Sequence, residues 1–150
     1  FDLWAAGHPQ AMAWVHPDDG FLVLDRNGNG LVDNGAELFG NVDGIHEHGF
    51  DHLAALDTNG DRAITAADEA FASLRVWQDR NSDGVSAPAE LVALSTLGVD
   101  RIPLDADRSG KVVAGNRVVY EVTATGGAGA MIVGDAFLRT AQHARISSAR

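Results

Sequence analysis

At 150 residues, with 45% hydrophobic and 21% charged side chains, the chain has the composition of one folded domain and not of a disordered acidic tail. Eleven Lys and Arg against twenty-one Asp and Glu leave a net charge of −10, which repels nucleic acid and anionic lipid and attracts cations. Cys is absent, which excludes disulfides and thiolate metal sites, so any metal is held by oxygen or imidazole and a hard ion is favoured.

No apolar run approaches the roughly 20 residues of a membrane span, and Phe1-Asp2-Leu3-Trp4 does not open a signal peptide. Without an initiator Met, the chain is expected to be an excised fragment or processed product. Phe21-Leu22-Val23-Leu24, short and apolar on both sides, is a strand candidate. Acidic residues then gather with Asn and Gly in three clusters, beginning at Asp25, Asp57 and Asp79, which has the look of an internal repeat.

Calcium takes six to eight oxygens, and a twelve-residue loop supplies them from positions 1, 3, 5, 7 (by its carbonyl), 9 and an acid at 12, with Gly at 6 for the bend. The first cluster has Asp25, Asn27, Asn29, Leu31 and Asp33 at positions 1, 3, 5, 7 and 9 and Gly30 at 6. Ala36 stands at 12 and Glu37 at 13, so the loop is one residue long; Gly35 is expected to absorb the extra residue and Glu37 to close the set. Phe50, Leu53, Ala54 and Leu56 then recur at helical spacing, predicting a helix over about 49–56.

The second cluster places Asp57, Asn59, Asp61, Ala63 and Asp68 at 1, 3, 5, 7 and 12. Arg62 stands where Gly is expected and Asp68 is shorter than Glu, departures that weaken the loop. Ala70, Phe71, Leu74 and Trp77 form one apolar face of a predicted helix over 69–78, with Thr65 and Asp68 resembling a capping box before it. The third cluster fits best, with Asp79, Asn81, Asp83, Val85 and Glu90 at 1, 3, 5, 7 and 12 and Gly84 at 6. Pro88, the Leu91-Leu94-Leu97 stripe and Gly98 predict a third helix.

From Ile102 the period changes. Val112-Val113 and Val118-Val119-Tyr120 flank a Gly115-Asn116 turn signal, and Met131-Ile132-Val133 follows glycines at 126, 127 and 129, so a small antiparallel sheet is expected. Residues from about 140 to 150 read as polar and frayed. The fold class expected is α+β: a single domain over 1–150, with EF-hand-like calcium loops joined by short helices over about 18–98 and a small C-terminal antiparallel β-sheet over about 102–138. Ordinary paired EF-hands are excluded, because the ten residues 69–78 allow only one helix of about 15 Å between the second and third loops.

Asp, Asn and Gly are also the commonest turn formers. Turn chemistry does not require an acid 11 or 12 positions after the first, and here it recurs three times. His46, His48 and His52 lie close enough to permit zinc, but no zinc-protease pattern accompanies them and exposed histidines are the ordinary reading. The glycines near 126–129 read as a hairpin connection, not a phosphate cradle, and Trp4, Trp14 and Trp77 as core or interface anchors. No serine elbow, cysteine nucleophile or other catalytic constellation is present.

The strings Asp18-Asp19-Gly20-Phe21-Leu22-Val23-Leu24-Asp25-Arg26-Asn27, Glu37-Leu38-Phe39-Gly40, His48-Gly49-Phe50, Leu56-Asp57-Thr58-Asn59 and Leu74-Arg75-Val76-Trp77-Gln78-Asp79 resemble a particular family over about residues 14–138. It is the calcium-dependent self-processing module of iron-regulated repeats-in-toxin proteins of the meningococcal Frp type, with related modules of large bacterial type I secreted proteins. The resemblance implies a bacterial protein, secreted or at the cell surface, whose module folds on Ca2+ outside the cell and then hydrolyses an Asp-Pro bond at its upstream edge, the released aspartyl group joining a lysine amine. The four prolines here follow His8, His16, Ala87 and Ile102, so a scissile bond would lie before Phe1. The family's opening segment tends to carry a further acidic cluster, which Phe1-Asp2-Leu3-Trp4-Ala5-Ala6-Gly7-His8 has lost, whereas a non-Gly sixth position such as Arg62 has precedent there.

Three functions therefore compete: a structural calcium-binding module, a self-processing module acting on an upstream Asp-Pro bond, and a dockerin-like adhesion module, in which paired loops also end in Asp. The expected partners are calcium ions, with no nucleic acid and no membrane span, and any protein partner is unknown.

Overall fold

A computed structural model describes residues 1–41 and 44–140. In chain order the elements are β1 (Phe21–Leu24), α1 (Gly49–Ala54), β2 (Ala63–Thr65), β3 (Leu74–Trp77), β4 (Leu91–Ala93), β5 (Arg101–Pro103), β6 (Asp107–Arg108), β7 (Val112–Val113), β8 (Asn116–Gly126) and β9 (Gly129–Phe137). Single 3-10 turns at Gly35–Glu37, Phe71–Ser73 and Pro88–Glu90 complete the list. No described helix is long and apolar enough to cross a membrane.

The strands form two antiparallel sheets. One has the order β1-β3-β4, with Phe21 opposite Trp77 and Trp77 opposite Leu91. The other is built on the long strand β8: β9 runs along one edge, while β5, β6 and β7 share the other, and β2 adds outside β5.

The expected α+β class with helix-joined loops is thus overturned: the described residues are mostly β, with one short α-helix. The helix near 49–56 forms, capped by His48 Nδ1, which accepts the Asp51 N–H. The other two do not. Leu74 and Trp77 are three apart, a spacing that suits one helix face but equally puts two residues on opposite faces of a strand. Leu74 packs with Phe50, Leu53, Ile64, Leu94 and Ile102, whereas Trp77 packs on the far side with Leu3, Val23, Val32 and Leu38. A ten-residue helix is marginal alone, and pairing on both sides with β1 and β4 prevails over it. The Leu91-Leu94-Leu97 stripe divides likewise, Leu91 joining the Trp77 side and Leu94 and Leu97 the Leu74 side.

The C-terminal sheet forms where expected but is larger, because the turn at 114–115, with φ of +49° and +81°, feeds an eleven-residue strand. The glycines near 126–129 make the β8–β9 hairpin, where Gly126 faces Gly129. Trp14 and Trp77 anchor an aromatic cluster with Phe1 and Phe21, ring centroids 5.0–5.9 Å apart, whereas Trp4 is 50% exposed. The expectation of a frayed end over about 140–150 lies, from residue 141, outside the described residues.

Candidate metal centres

Each acidic loop leaves a strand or helix of the core: loop 1 follows β1 and ends in the 3-10 turn Gly35–Glu37, loop 2 follows α1 and runs into β2, and loop 3 follows β3 and ends at β4. The three have the same backbone. At loop position 1, Asp25 accepts the N–H groups of Gly28 (2.7 Å), Asn29 (3.3 Å) and Gly30 (2.7 Å); Asp57 accepts those of Gly60 (2.8 Å) and Arg62 (2.9 Å); Asp79 accepts those of Asp83 (3.2 Å) and Gly84 (2.8 Å). Position 3 is Asn in every loop, and the carbonyls of Asn27, Asn59 and Asn81 accept the N–H of position 5 at 2.9–3.1 Å. Asn29, Asp61 and Asp83 at position 5 then accept the N–H of position 7, which is Leu31, Ala63 or Val85.

Positions 4 and 6 are left-handed throughout: Gly28 and Gly30 (φ +74° and +82°), Gly60 and Arg62 (+73° and +64°), Ser82 and Gly84 (+57° and +71°). That Arg62 and Ser82 adopt a conformation costing a non-Gly residue about 1–2 kcal/mol shows that the loop imposes it. Arg62 also pairs with Asp105 through its guanidinium.

The closing acids are structural clasps. Glu37 and Asp68 are each 3% exposed. Glu37 accepts the N–H of Arg26 (3.2 Å) and Asp33 (2.8 Å), and Asp68 those of Thr58 (2.8 Å) and Thr65 (2.9 Å), which are positions 2 and 9 in both loops. The extra residue of loop 1 is taken up by the 3-10 turn, capped by Asn34, so that Glu37 ends where Asp68 does. Gly35 is required there because a Cβ would stand 1.8 Å from the Leu3 carbonyl oxygen. Glu90 accepts from Ala87, again position 9, at 3.1 Å. Burial pushes the Asp68 carboxyl up, but the Thr65 and Thr58 donors outweigh it and hold it below the ordinary range; the Gly30 N–H leads the donors that lower Asp25.

Among the described residues no three His, Asp or Glu side chains gather as a metal-holding group. A hard ion in these loops would therefore draw on Asn amide oxygens and main-chain carbonyls besides carboxylates, a donor set calcium accepts. The side chains at positions 3 and 5 converge: Asn59 touches Asp61 (3.1 Å), Asn81 touches Asp83 (2.8 Å), and both Asn27 and Asn29 reach Asp33 (2.9 and 2.7 Å). Of the histidines, His46 and His52 stack at 4.5 Å and His48 lies 4.5 Å from the Tyr120 ring while capping α1.

Three features were missed in the sequence. Trp14 Nε1 donates to Asp79 Oδ2 at 2.7 Å, tying loop 3 to the aromatic cluster. Val32 and Ser86, both at position 8 of their loops, are buried, and the Val32 N–H donates to Ser86 Oγ at 2.7 Å, joining loops 1 and 3. Finally, the opening segment keeps the loop backbone without its ligands. Asp2 accepts the N–H groups of Ala6 (3.0 Å) and Gly7 (2.7 Å), Ala5 and Gly7 at positions 4 and 6 have φ of +50° and +83°, and Gln10 accepts the Leu3 N–H at position 2, as a closing acid does elsewhere. Trp4 and Ala6 stand where oxygens would be. The signal for this fourth loop was the Asp-x4-Gly spacing shared by Asp2, Asp25 and Asp79.

Comparison with known proteins places these loops in context. Residues 1–138 match the SPM domain. The iron-regulated protein FrpA of Neisseria meningitidis serogroup C is 52% identical over 109 residues, which covers 69% of this chain and 10% of FrpA. The chain thus spans about a tenth of the length of that relative.

Proposed function

This chain belongs to the SPM domain family, and from that premise we propose that it is a calcium-binding module of a secreted, repeats-in-toxin-like bacterial protein that completes its fold on taking up Ca2+ outside the cell. The observation that carries this reading is the threefold recurrence of one loop backbone, with oxygen side chains at positions 1, 3 and 5 and left-handed residues at 4 and 6. Asp25, Asn27, Asn29, Leu31, Asp33 and Glu37 would serve the first ion; Asp57, Asn59, Asp61, Ala63 and Asp68 the second; Asp79, Asn81, Asp83, Val85 and Glu90 the third, with Leu31, Ala63 and Val85 acting through their carbonyls. Without an ion the acids of each loop repel one another, and the net charge of −10 adds to that repulsion, so binding energy becomes folding energy.

Calorimetric titration, together with far-ultraviolet circular dichroism in chelator and in millimolar calcium, tests the reading. Saturable binding, in the range of roughly 10⁻⁶–10⁻³ M for sensors and extracellular modules, with a gain of structure is expected. A chain already folded in chelator that takes up no ion overturns it.

A second reading, self-processing at an Asp-Pro bond before Phe1, has one observation in its favour. The Phe1 nitrogen lies 3.4 Å from the point where a Cβ on Gly84 would stand, so any chain preceding Phe1 would pass loop 3. A longer form of the protein carrying an upstream Asp-Pro bond should cleave on adding calcium; an undivided band at saturating calcium ends this second reading alone.

A further inference from the structure

β9 pairs with β8 along one edge, and among the described residues nothing pairs with its other edge. Natural edges are blunted by Lys, Pro, a bulge or a covering element. Among the described residues the stretch Gly129–Val133 has none of these: it carries no charge and no Pro, and the bulge in β8 falls further along, between Val118 and Tyr120. Met131 and Ile132 are 39% and 59% exposed.

Beside this edge lies a cleft of about 610 Å3 lined by residues of both sheets. Leu22 and Val76 wall it on one side, Val118 and Val133 on the other, and Phe50 of α1 closes part of it. Packed interiors leave few voids larger than a water molecule, whereas a space of this size suits a bound group. Met131 and Val133 lie opposite Ala124 and Val122, two residues of the core, so they occupy the face of the sheet turned toward the cleft. A strand added to β9 would send alternate side chains into that layer.

The charge lining the cleft selects the occupant. Asp18, Asp19, Glu47, Glu121 and Asp135 contribute acids, and the single Lys or Arg, Lys111, is held by Glu121 at 2.8 Å. Asp135, half-buried opposite Tyr120, accepts the Gly49 N–H and has the His48 and Asp51 side chains beside it from α1 and its cap. We propose that β9 is the docking edge for an extended segment of a partner protein, apolar at alternate positions and carrying a Lys or Arg that meets Asp135. This surface is separate from the acidic loops and does not rest on the metal reading.

Backbone amide spectra of the folded protein in millimolar calcium, titrated with a capped nonapeptide alternating Val and Thr in which one Val of the inward-facing set is replaced by Lys, test the proposal. Saturable shifts confined to 129–137 and the cleft walls are expected. The same peptide with Glu for Lys, and Asp135→Asn against the Lys peptide, should each bind about tenfold more weakly, the effect of losing one desolvated charge pair. A backbone N-methylated peptide should not bind. No saturable shift at millimolar peptide, equal binding of the Glu peptide, full binding of the N-methylated one, or sedimentation showing β9 buried against a second copy would each overturn it.

Discussion

Trp14→Phe isolates the contact between the aromatic cluster and the third loop. Phe keeps a ring among Phe1, Phe21 and Trp77, whose centroids lie 5.8, 5.0 and 5.5 Å from that of Trp14. It deletes the indole N–H that reaches Asp79 Oδ2 at 2.7 Å. Asp79 is 1% exposed, so water does not replace the donor, although the Gly84 and Asp83 amides remain. A hydrogen bond to a charged group contributes about 1.5–3 kcal/mol, and the vacated edge of the indole adds up to about 1 kcal/mol. The expected loss is about 2–4 kcal/mol, which is roughly 30-fold or more in the folding constant. Urea unfolding at fixed calcium measures it, with an unchanged slope showing that the native state is otherwise intact. A midpoint within about 0.5 kcal/mol of the parent, the scatter of harmless surface changes, would refute the claim that Asp79 depends on this bond.

Ser86→Ala leaves the buried Val32 N–H without its acceptor and should lower stability in urea by about 1–3 kcal/mol. Asp135→Asn tests a pH dependence: burial pushes the Asp135 carboxyl up, so the folded state holds its proton more tightly than the unfolded chain, and stability falls as pH rises from the ordinary carboxylate value through the raised one. The Asn variant should therefore melt higher than the parent at pH 7 and alike at pH 3, as followed by thermal circular dichroism. Trp4→Asn with Ala6→Asp places oxygens at positions 3 and 5 of the opening segment, whose backbone already has the loop form; calorimetry should count one more calcium than in the parent.

What the sequence disclosed was local. Strand β1, the helix at 49–54 and the hairpins about Gly115 and Gly127 follow from turn chemistry and apolar runs that act over a few residues. The spacing of Leu74 with Trp77 and of Leu91 with Leu94 was ambiguous, because residues three apart share a helix face or straddle a strand, and only the partners β1 and β4 decide between these. The acids of the loops were visible by their intervals. The opening loop was not, since Trp4 and Ala6 erase the side-chain signature while Asp2 and Gly7 preserve the bend. Trp14 and Ser86 could not be found by spacing at all, as their partners lie 65 and 54 residues away.

The bond between Val32 and Ser86 gives the molecule an asymmetry of dismantling. Two of its turns share a hinge pin, so withdrawing support from either slackens its sibling, whereas β2 hangs the remaining turn on the other sheet with no such companion. Stepwise chelation should accordingly release the module in two unequal stages, a coupled pair and a solitary member, and amide exchange would register them as separate openings.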